Sequence, residues 1–147
     1  MAMYRHVLFA SDLSKAGDAI GQKAKEIAEV NWAKISLVHV FTPFEPGYAS
    51  ELGGFSEALP VPDPSLEKLA LTELEQQAQR LLLPDATCHL GIGSPKREIV
   101  RIAQENEVDL IVIGGHGLHG LEYILGSTAD GVLHRTVCDV LTVRVEG

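Results

Sequence analysis

The chain has 147 residues, of which 46% are apolar, and a formal net charge of −8 at pH 7. This length suits one domain with a single core, and no apolar run reaches the roughly 18 residues that a membrane helix needs. The negative charge argues against nucleic acid and anionic membrane surfaces as partners, because both are bound through lysine and arginine. Small ligands and other proteins are therefore the expected partners.

The N-terminal segment and the cysteines both favour a cytoplasmic protein. Residues 1–12 lack the basic start, long apolar run and small-residue cleavage site of a secretion signal. Cys88 and Cys138 lie in apolar surroundings without C-x-x-C spacing. Cysteines of this kind usually behave as small buried hydrophobes in a reducing compartment.

The first half of the chain predicts a strand, a helix and a second strand. The short apolar run His6–Ala10 is typical of a strand buried on both faces. Ser14 is the predicted N-cap of a helix that ends near Asn31, and 35–40 is the next predicted strand.

The segment Phe41–Pro64 interrupts this regular pattern. It contains five of the chain's seven prolines and three glycines, a density that breaks any regular period. Long segments without regular structure are often binding loops or mobile segments in compact domains. We therefore predict a mobile loop here.

The second half returns to alternating helices and strands. In order, it predicts a helix capped by Ser65 that stops before Pro84, a strand at 86–90, a helix from Pro95 capped by Ser94, a strand at 110–113, a helix at 127–134 and a strand at 140–145. This order predicts an α/β fold with an open, three-layer, Rossmann-like parallel sheet of about five strands and helices on both faces. Residues 1–147 are predicted to form one domain, without internal repeats.

Candidate site residues follow the predicted strands. In an open parallel sheet, ligands bind beyond the carboxyl ends of the strands, and Asp12, Val40 and Gly114 lie at such ends. The glycines from Gly114 onward allow backbone amides to approach anionic oxygens. Gly126-Ser127-Thr128 opens a helix, whose N-terminus favours an anion. Ordinary turns and helix caps explain the same residues, so the spacing leaves both interpretations open.

Several enzyme classes fit the residues poorly. No G-K-[ST] follows the glycines, so the segment is not a P-loop, and no lysine there would stabilise phosphoryl transfer. No serine lies in G-x-S-x-G. Asp12 is open to two interpretations: it either accepts hydrogen bonds from ribose hydroxyls or helps to hold a metal, or it caps the helix that follows.

Segments at both ends of the chain carry a family resemblance. They are the opening strand with its aspartate at 6–14, the second strand at 37–40, and a closing block made of 114–117, 125–129, 132–134 and 138–145. On these segments the sequence resembles the universal stress protein family over essentially its whole length.

This resemblance implies a nucleotide site. ATP-binding members carry a G-x-x-G motif followed at fixed spacing by G-[ST], and here eight residues separate Gly117 from Gly126, one fewer than in that motif. The implied contacts are Asp12 and the backbone of Val40 with adenine and ribose, Gly114 and Gly117 along the phosphates, and Gly126, Ser127 and Thr128 at the distal phosphates. The implied cofactor is ATP as a state signal, with Mg²⁺ only alongside it.

The resemblance also implies a homodimer through the last strand, where Val143 and Val145 form a V-x-V edge. Three functions remain open from the sequence: a cytoplasmic stress-response regulator that binds an adenine nucleotide, a dimeric stress protein that acts only through an unknown protein partner, and a slow ATP hydrolase. The glycines and Gly126-Ser127 favour the first, whereas the shortened spacing favours the second.

Overall fold

The computed structural model describes residues 3–42, 64–116 and 126–145. Strands and helices alternate along these ranges, as predicted. They are β1 (His6–Ala10), α1 (Gly17–Asn31), β2 (Lys34–Phe41), α2 (Pro64–Arg80), β3 (Thr87–Ile92), α3 (Pro95–Glu105), β4 (Leu110–His116), α4 (Ser127–Arg135) and β5 (Asp139–Val145).

The five strands form one parallel sheet in the order β3-β2-β1-β4-β5. The chain moves outward from β1 through β2 to β3, then crosses back to β4 and continues to β5. Because parallel crossovers are right-handed, the two halves place their helices on opposite faces. The predicted three-layer architecture is confirmed, and the strand order reverses between β1 and β4, where an open sheet forms its ligand crevice.

The core has two layers, one on each face of the sheet. Leu8, Val38 and Ile111 are fully buried on the face that α3 and α4 cover. Phe9 and Leu37 are fully buried on the face that α1 and α2 cover. Successive strand residues point to opposite faces of a sheet, and both faces of β1 are buried. This explains why the sequence of β1 is a continuous apolar run. Each such side chain contributes roughly 1.5–3 kcal/mol of burial free energy.

Helix α1 packs closely against buried side chains at Gly21. A Cβ at this position would lie 2.6 Å from Cδ1 of Leu81 and 2.7 Å from Cε2 of Phe9, both of which are buried. Only glycine leaves room for this approach. The contact therefore sets the distance of α1 from β1 and, with it, the position of the helix N-terminus at the sheet edge.

Two of the predicted caps are wrong. Helix α1 begins at Gly17 with Ala16 as its N-cap. Ser14 lies in the turn before it, where its Oγ and its carbonyl both accept from the Gly17 N–H, at 3.0 and 3.1 Å, so the turn leads directly into the helix. Ser65 lies inside α2, which begins at Pro64. Ser94 is the N-cap of α3, as predicted, with Pro95 as the first helical residue, although the Ser94 side chain makes no capping hydrogen bond.

Strand β4 is longer than predicted, because it continues from Ile113 through Gly114 to His116. Its last three residues pair with β5, with Gly114 opposite Val143 and His116 opposite Val145. This parallel partner provides the backbone hydrogen bonds that a loop would lack. The glycine-rich segment therefore starts within the sheet.

The predicted loop at 41–64 coincides with residues 43–63, which are outside the described residues, while Phe41 ends β2 and Pro64 begins α2. Within the described ranges, no helix is long and apolar enough to cross a membrane. That residues 1–147 form one domain stays a prediction.

Candidate functional site

A cavity of about 460 Å³ opens at the carboxyl ends of β1 and β4. The structure brings most of the predicted site residues together in its lining: Asp12, Val40, Gly114, Gly126, Ser127 and Thr128. Gly117 lies outside the described residues. The predicted cluster thus forms a common cavity at the reversal of strand order, and its volume lies within the roughly 300–1,000 Å³ that is typical of small-molecule sites.

The lining combines apolar side chains with a few polar groups. The apolar members are Phe9, Ala10, Ala16, Ile20, Val38, Val40, Pro95, Ile99, Ile113 and Ala129. The ionisable members are Asp12 and His39 alone, and no lysine or arginine belongs to the lining that the described residues form. Such a cavity suits a flat apolar group with polar attachments at its edge.

We call Ser11, Asp12, Ser14 and Gly17 the α1 wall of the cavity. Here Asp12 closes a turn: its Oδ1 accepts hydrogen bonds from the N–H of Ser14 at 2.9 Å and from the Ser14 hydroxyl at 2.6 Å. Oδ2 has no partner among the described residues, and Asp12 is exposed. One carboxylate oxygen therefore holds the turn and the other is available to a ligand.

Ser11 anchors this wall through its backbone and its side chain. Its N–H donates to the carbonyl of Val38 at 2.8 Å, and its own carbonyl accepts from Nδ1 of His39 at 2.8 Å. Its hydroxyl donates to Oε1 of Gln77 and accepts from the N–H of Leu13 at 3.0 Å. Because a carbonyl only accepts, the hydrogen-bond network assigns the proton of His39 to Nδ1.

Behind Ser11, a polar network connects the α1 wall to α2. Gln77 is fully buried and donates from Nε2 to Oδ1 of Asp18 at 2.8 Å. Arg80 donates to both oxygens of Asp18, at 3.0 and 3.1 Å. These bonds lower the pKa of Asp18, with Arg80 as the largest cause; partial burial opposes them and the bond from Gln77 adds to them.

We call Gly114, Gly126, Ser127 and Thr128 the α4 wall. Gly126 is the N-cap of α4, and its carbonyl accepts from the N–H of Asp130 at 2.9 Å. The amides of residues 127–129 precede that first helical bond, so they have no acceptor within the helix. The hydroxyls of Ser127 and Thr128 likewise make no hydrogen bond within the described part of the chain. The wall therefore offers several donors and the positive end of a helix dipole.

One basic side chain is held beside the α4 wall. Lys96 follows Pro95 in the first turn of α3, and its stem crosses Gly131 of α4: a Cβ at Gly131 would lie 2.5 Å from Cδ and 2.9 Å from Cβ of Lys96. Gly131 lies one helical turn after Ser127, on the same face. Lys96 has no ion pair with any described residue.

Sequence reasoning missed Gln77 and gave His39 no role at the site. A signal for Gln77 was present, because it lies in the stripe that Leu74, Ala78 and Leu81 form at helical spacing, where a polar residue must find a buried partner. His39 had no local signal, since its bond to Ser11 joins two strands. The described residues contain no cluster of three or more potential metal ligands.

The fold and the cavity define a doubly wound α/β protein with a small-molecule-sized site at the reversal of strand order. The family model of the universal stress protein family matches residues 3–144. The chain therefore belongs to the universal stress protein family.

Known proteins agree with this assignment. The chain is 35% identical over 141 residues to universal stress protein A homolog 1 of Coxiella burnetii, covering 95% of this chain and 96% of that protein. Among solved structures, UspA from Lactobacillus plantarum is 26% identical with a TM-score of 0.71, covering 98% of this chain and 100% of that one. A universal stress protein solved in complex with cAMP has a TM-score of 0.67 at 23% identity, covering 97% of this chain and 98% of that one, which shows the shared fold.

Proposed function

We propose that this protein binds an adenine nucleotide, with ATP as the first candidate, as a regulatory ligand in the cytoplasm. The single observation that carries the proposal is the convergence of Asp12, Val40, Gly114, Gly126, Ser127 and Thr128 on one cavity. The family's solved member with cAMP adds that this fold can accommodate an adenine nucleotide.

Three parts of the cavity differ in chemistry, and they match the base, the ribose and the phosphates of a nucleotide. Its apolar lining offers a surface for the base, next to the backbone of Val40. The free oxygen of Asp12 suits a ribose hydroxyl, which donates a hydrogen bond to a carboxylate. The amides and hydroxyls at the start of α4 suit phosphate oxygens, since a helix N-terminus favours negative charge. Gly117 would add backbone at the phosphates, as the family motif implies.

A nucleotide bound here acts by favouring one conformation or assembly over another, limited by its difference in affinity for the two. We propose that the assembly is a homodimer formed through β5. This strand is an edge of the described sheet, and Val143 and Val145 belong to it. An edge strand offers unpaired backbone groups to a second copy. Mg²⁺ would accompany ATP and would partly neutralise the negative charge of its phosphates.

A second candidate is a dimeric stress protein that acts through an unidentified protein partner without nucleotide. The observation that favours it is the spacing of eight residues between Gly117 and Gly126. A connection one residue shorter than in ATP-binding members would favour this candidate by rotating the amides of Gly126 and Ser127 away from the phosphates.

Two measurements separate these functions. The first is mass spectrometry of the small molecules released when protein purified without added nucleotide is denatured. The second is isothermal titration with ATP and Mg²⁺, and with cAMP. A released or titrated adenine nucleotide supports the proposal. A protein that releases no nucleotide on denaturation and shows no heat of binding with either ligand contradicts the proposal and supports the second candidate.

We expect Thr128→Val to weaken ATP binding about tenfold, because Val keeps the shape of the side chain and removes one donor to an anionic oxygen. The matched control is Thr72→Val on the exposed surface of α2, where the hydroxyl bonds only the carbonyl of Lys68. Isothermal titration of both variants provides the measurement. Equal ATP affinities of the two variants would show that the Thr128 hydroxyl does not contact ATP.

A further inference from the structure

We infer that Gln77, a residue of α2 outside the cavity lining, positions the α1 wall and thereby sets how strongly the site distinguishes ribose from deoxyribose. The inference rests on the proposed function, since it assigns the free oxygen of Asp12 to a ribose hydroxyl. It adds a positioning residue and a ligand preference that the cavity lining alone does not reveal.

Helix α2 supplies no residue to the cavity lining within the described chain. Gln77 nevertheless reaches the α1 wall from behind, with none of its surface exposed. Its amide oxygen accepts from the Ser11 hydroxyl, and its amide nitrogen donates to Oδ1 of Asp18 at 2.8 Å. One side chain thus joins the residue before Asp12 to the first turn of α1.

The two bonds fix both ends of the segment that carries Asp12. Ser11 marks its start, where the same hydroxyl also accepts the N–H of Leu13 at 3.0 Å. Asp18 marks its end and is held in turn by Arg80. Gly17 packs between these groups: a Cβ there would lie 3.1 Å from Oδ1 of Asp12 and 3.8 Å from Nε2 of Gln77.

The physical reason for a functional effect is the way the carboxylate is held. Asp12 is exposed, and its fixed orientation comes from the turn that its Oδ1 makes with Ser14. Without Gln77, the Ser11 hydroxyl would be left buried without an acceptor and would seek a new one. A Ser11 side chain that turns to a new acceptor no longer accepts from the N–H of Leu13, so the turn that carries Asp12 loses one of its hydrogen bonds. A contact with a single hydroxyl is lost through a displacement of about 1 Å.

The test is Gln77→Met in the full chain, because Met has a similar shape and removes both hydrogen bonds. Gln76→Met is the matched control, since Gln76 is the exposed neighbour on the same helix. Ala78→Gly controls for stability, because it destabilises α2 by about 1–2 kcal/mol through lower helix propensity and the loss of a buried methyl group, while Ala78 itself makes no side-chain hydrogen bond. Each protein is titrated with ATP and with 2′-deoxy-ATP, both in the presence of Mg²⁺.

We expect the wild type and both controls to prefer ATP over 2′-deoxy-ATP by about tenfold, the value of one hydrogen bond to a charged group. Gln77→Met should lose that preference through weaker ATP binding, while its affinity for 2′-deoxy-ATP stays within about twofold. Unchanged discrimination in Gln77→Met would overturn the inference. An equal loss for both nucleotides, matched by Ala78→Gly, would reduce Gln77 to a structural role.

A ligand-free measurement keeps the inference testable if no nucleotide binds and the proposed function fails. In NMR spectra of the apo proteins, Gln77→Met should shift the amide resonances of Leu13 and Ser14, whose N–H groups bond Ser11 and Asp12. Gln76→Met should leave them in place. Unshifted resonances in Gln77→Met would contradict the inference whatever the site binds.

Discussion

The two walls of the cavity are built by different means. The α1 wall is held by side chains: Ser11 bonds Gln77, Gln77 bonds Asp18, and Asp18 bonds Arg80. The α4 wall has no such network among the described residues, and its donors are the first amides of a helix and two hydroxyls without partners. The protein itself therefore fixes the geometry of the α1 wall. The hydrogen-bond donors of the α4 wall, in contrast, remain available to a ligand.

The difference fits the two parts of the proposed ligand. A single carboxylate oxygen must be aimed at one hydroxyl, so its support has to be rigid. Phosphate oxygens accept bonds from many directions, so several donors at a helix N-terminus suffice without a fixed side-chain geometry. Rigidity thus lies where the contact is directional.

The largest effect should come from crowding α1. We expect Gly21→Ala to lower the free energy of unfolding by about 1–3 kcal/mol, because the new methyl group meets the buried side chains of Phe9 and Leu81. Urea denaturation of the purified variant is the measurement.

Gly131→Ala is the same substitution on the helix of the other wall. Its obstacles are two atoms of Lys96: Cδ, at 2.5 Å, can turn toward solvent, whereas Cβ, at 2.9 Å, is fixed to the backbone of α3. The new methyl group therefore forces a small shift between α3 and α4, and the higher helix propensity of alanine offsets part of its cost, so we expect a loss of under about 1 kcal/mol. Equal losses in the two variants would show that the walls do not differ in rigidity.

A smaller effect should depend on ligand charge. Lys96→Met keeps the stem over Gly131 and removes the charge, so we expect about tenfold weaker binding of ATP, a smaller change for AMP and none for adenosine. Lys68→Met, on the exposed surface of α2, controls for the change in net charge. Isothermal titration with the three ligands provides the measurement. An equal change for adenosine would place Lys96 away from the phosphates.

The smallest effect should appear in the acid dependence of stability. The pKa of Asp18 is lowered mainly by Arg80, so the ionised carboxylate stabilises the fold above the ordinary carboxyl pKa, and this contribution is lost as the pH falls through the lowered value. Asp18→Asn keeps an oxygen for Gln77 and removes the charge. We expect it to be less stable by under about 1 kcal/mol at neutral pH and equal at low pH. Denaturation curves of the variant and the wild type at both pH values provide the measurement. A difference in the free energy of unfolding that is the same at neutral and at low pH would contradict this expectation.

The regular elements could be predicted because their patterns are local. Buried parallel strands are continuously apolar and amphipathic helices repeat at three and four residues, so β1 and the course of α1 follow from neighbouring residues alone. The errors lie at element ends. Ser14 is not the N-cap, because it lies in the turn that precedes Gly17, the first residue of α1. Strand β4 continues to His116 because β5 pairs with it.

By itself, the sequence determined the order of strands and helices, the family, and the positions that follow each strand end, since these depend on periodicity and on short motifs. Only the tertiary structure decided which of those positions share a cavity and what holds them in place. The hydrogen bonds of Ser11 join it to β2 and α2 across 27, 28 and 66 residues of chain. Contacts over such distances arise from packing of the elements, and no local pattern encodes them.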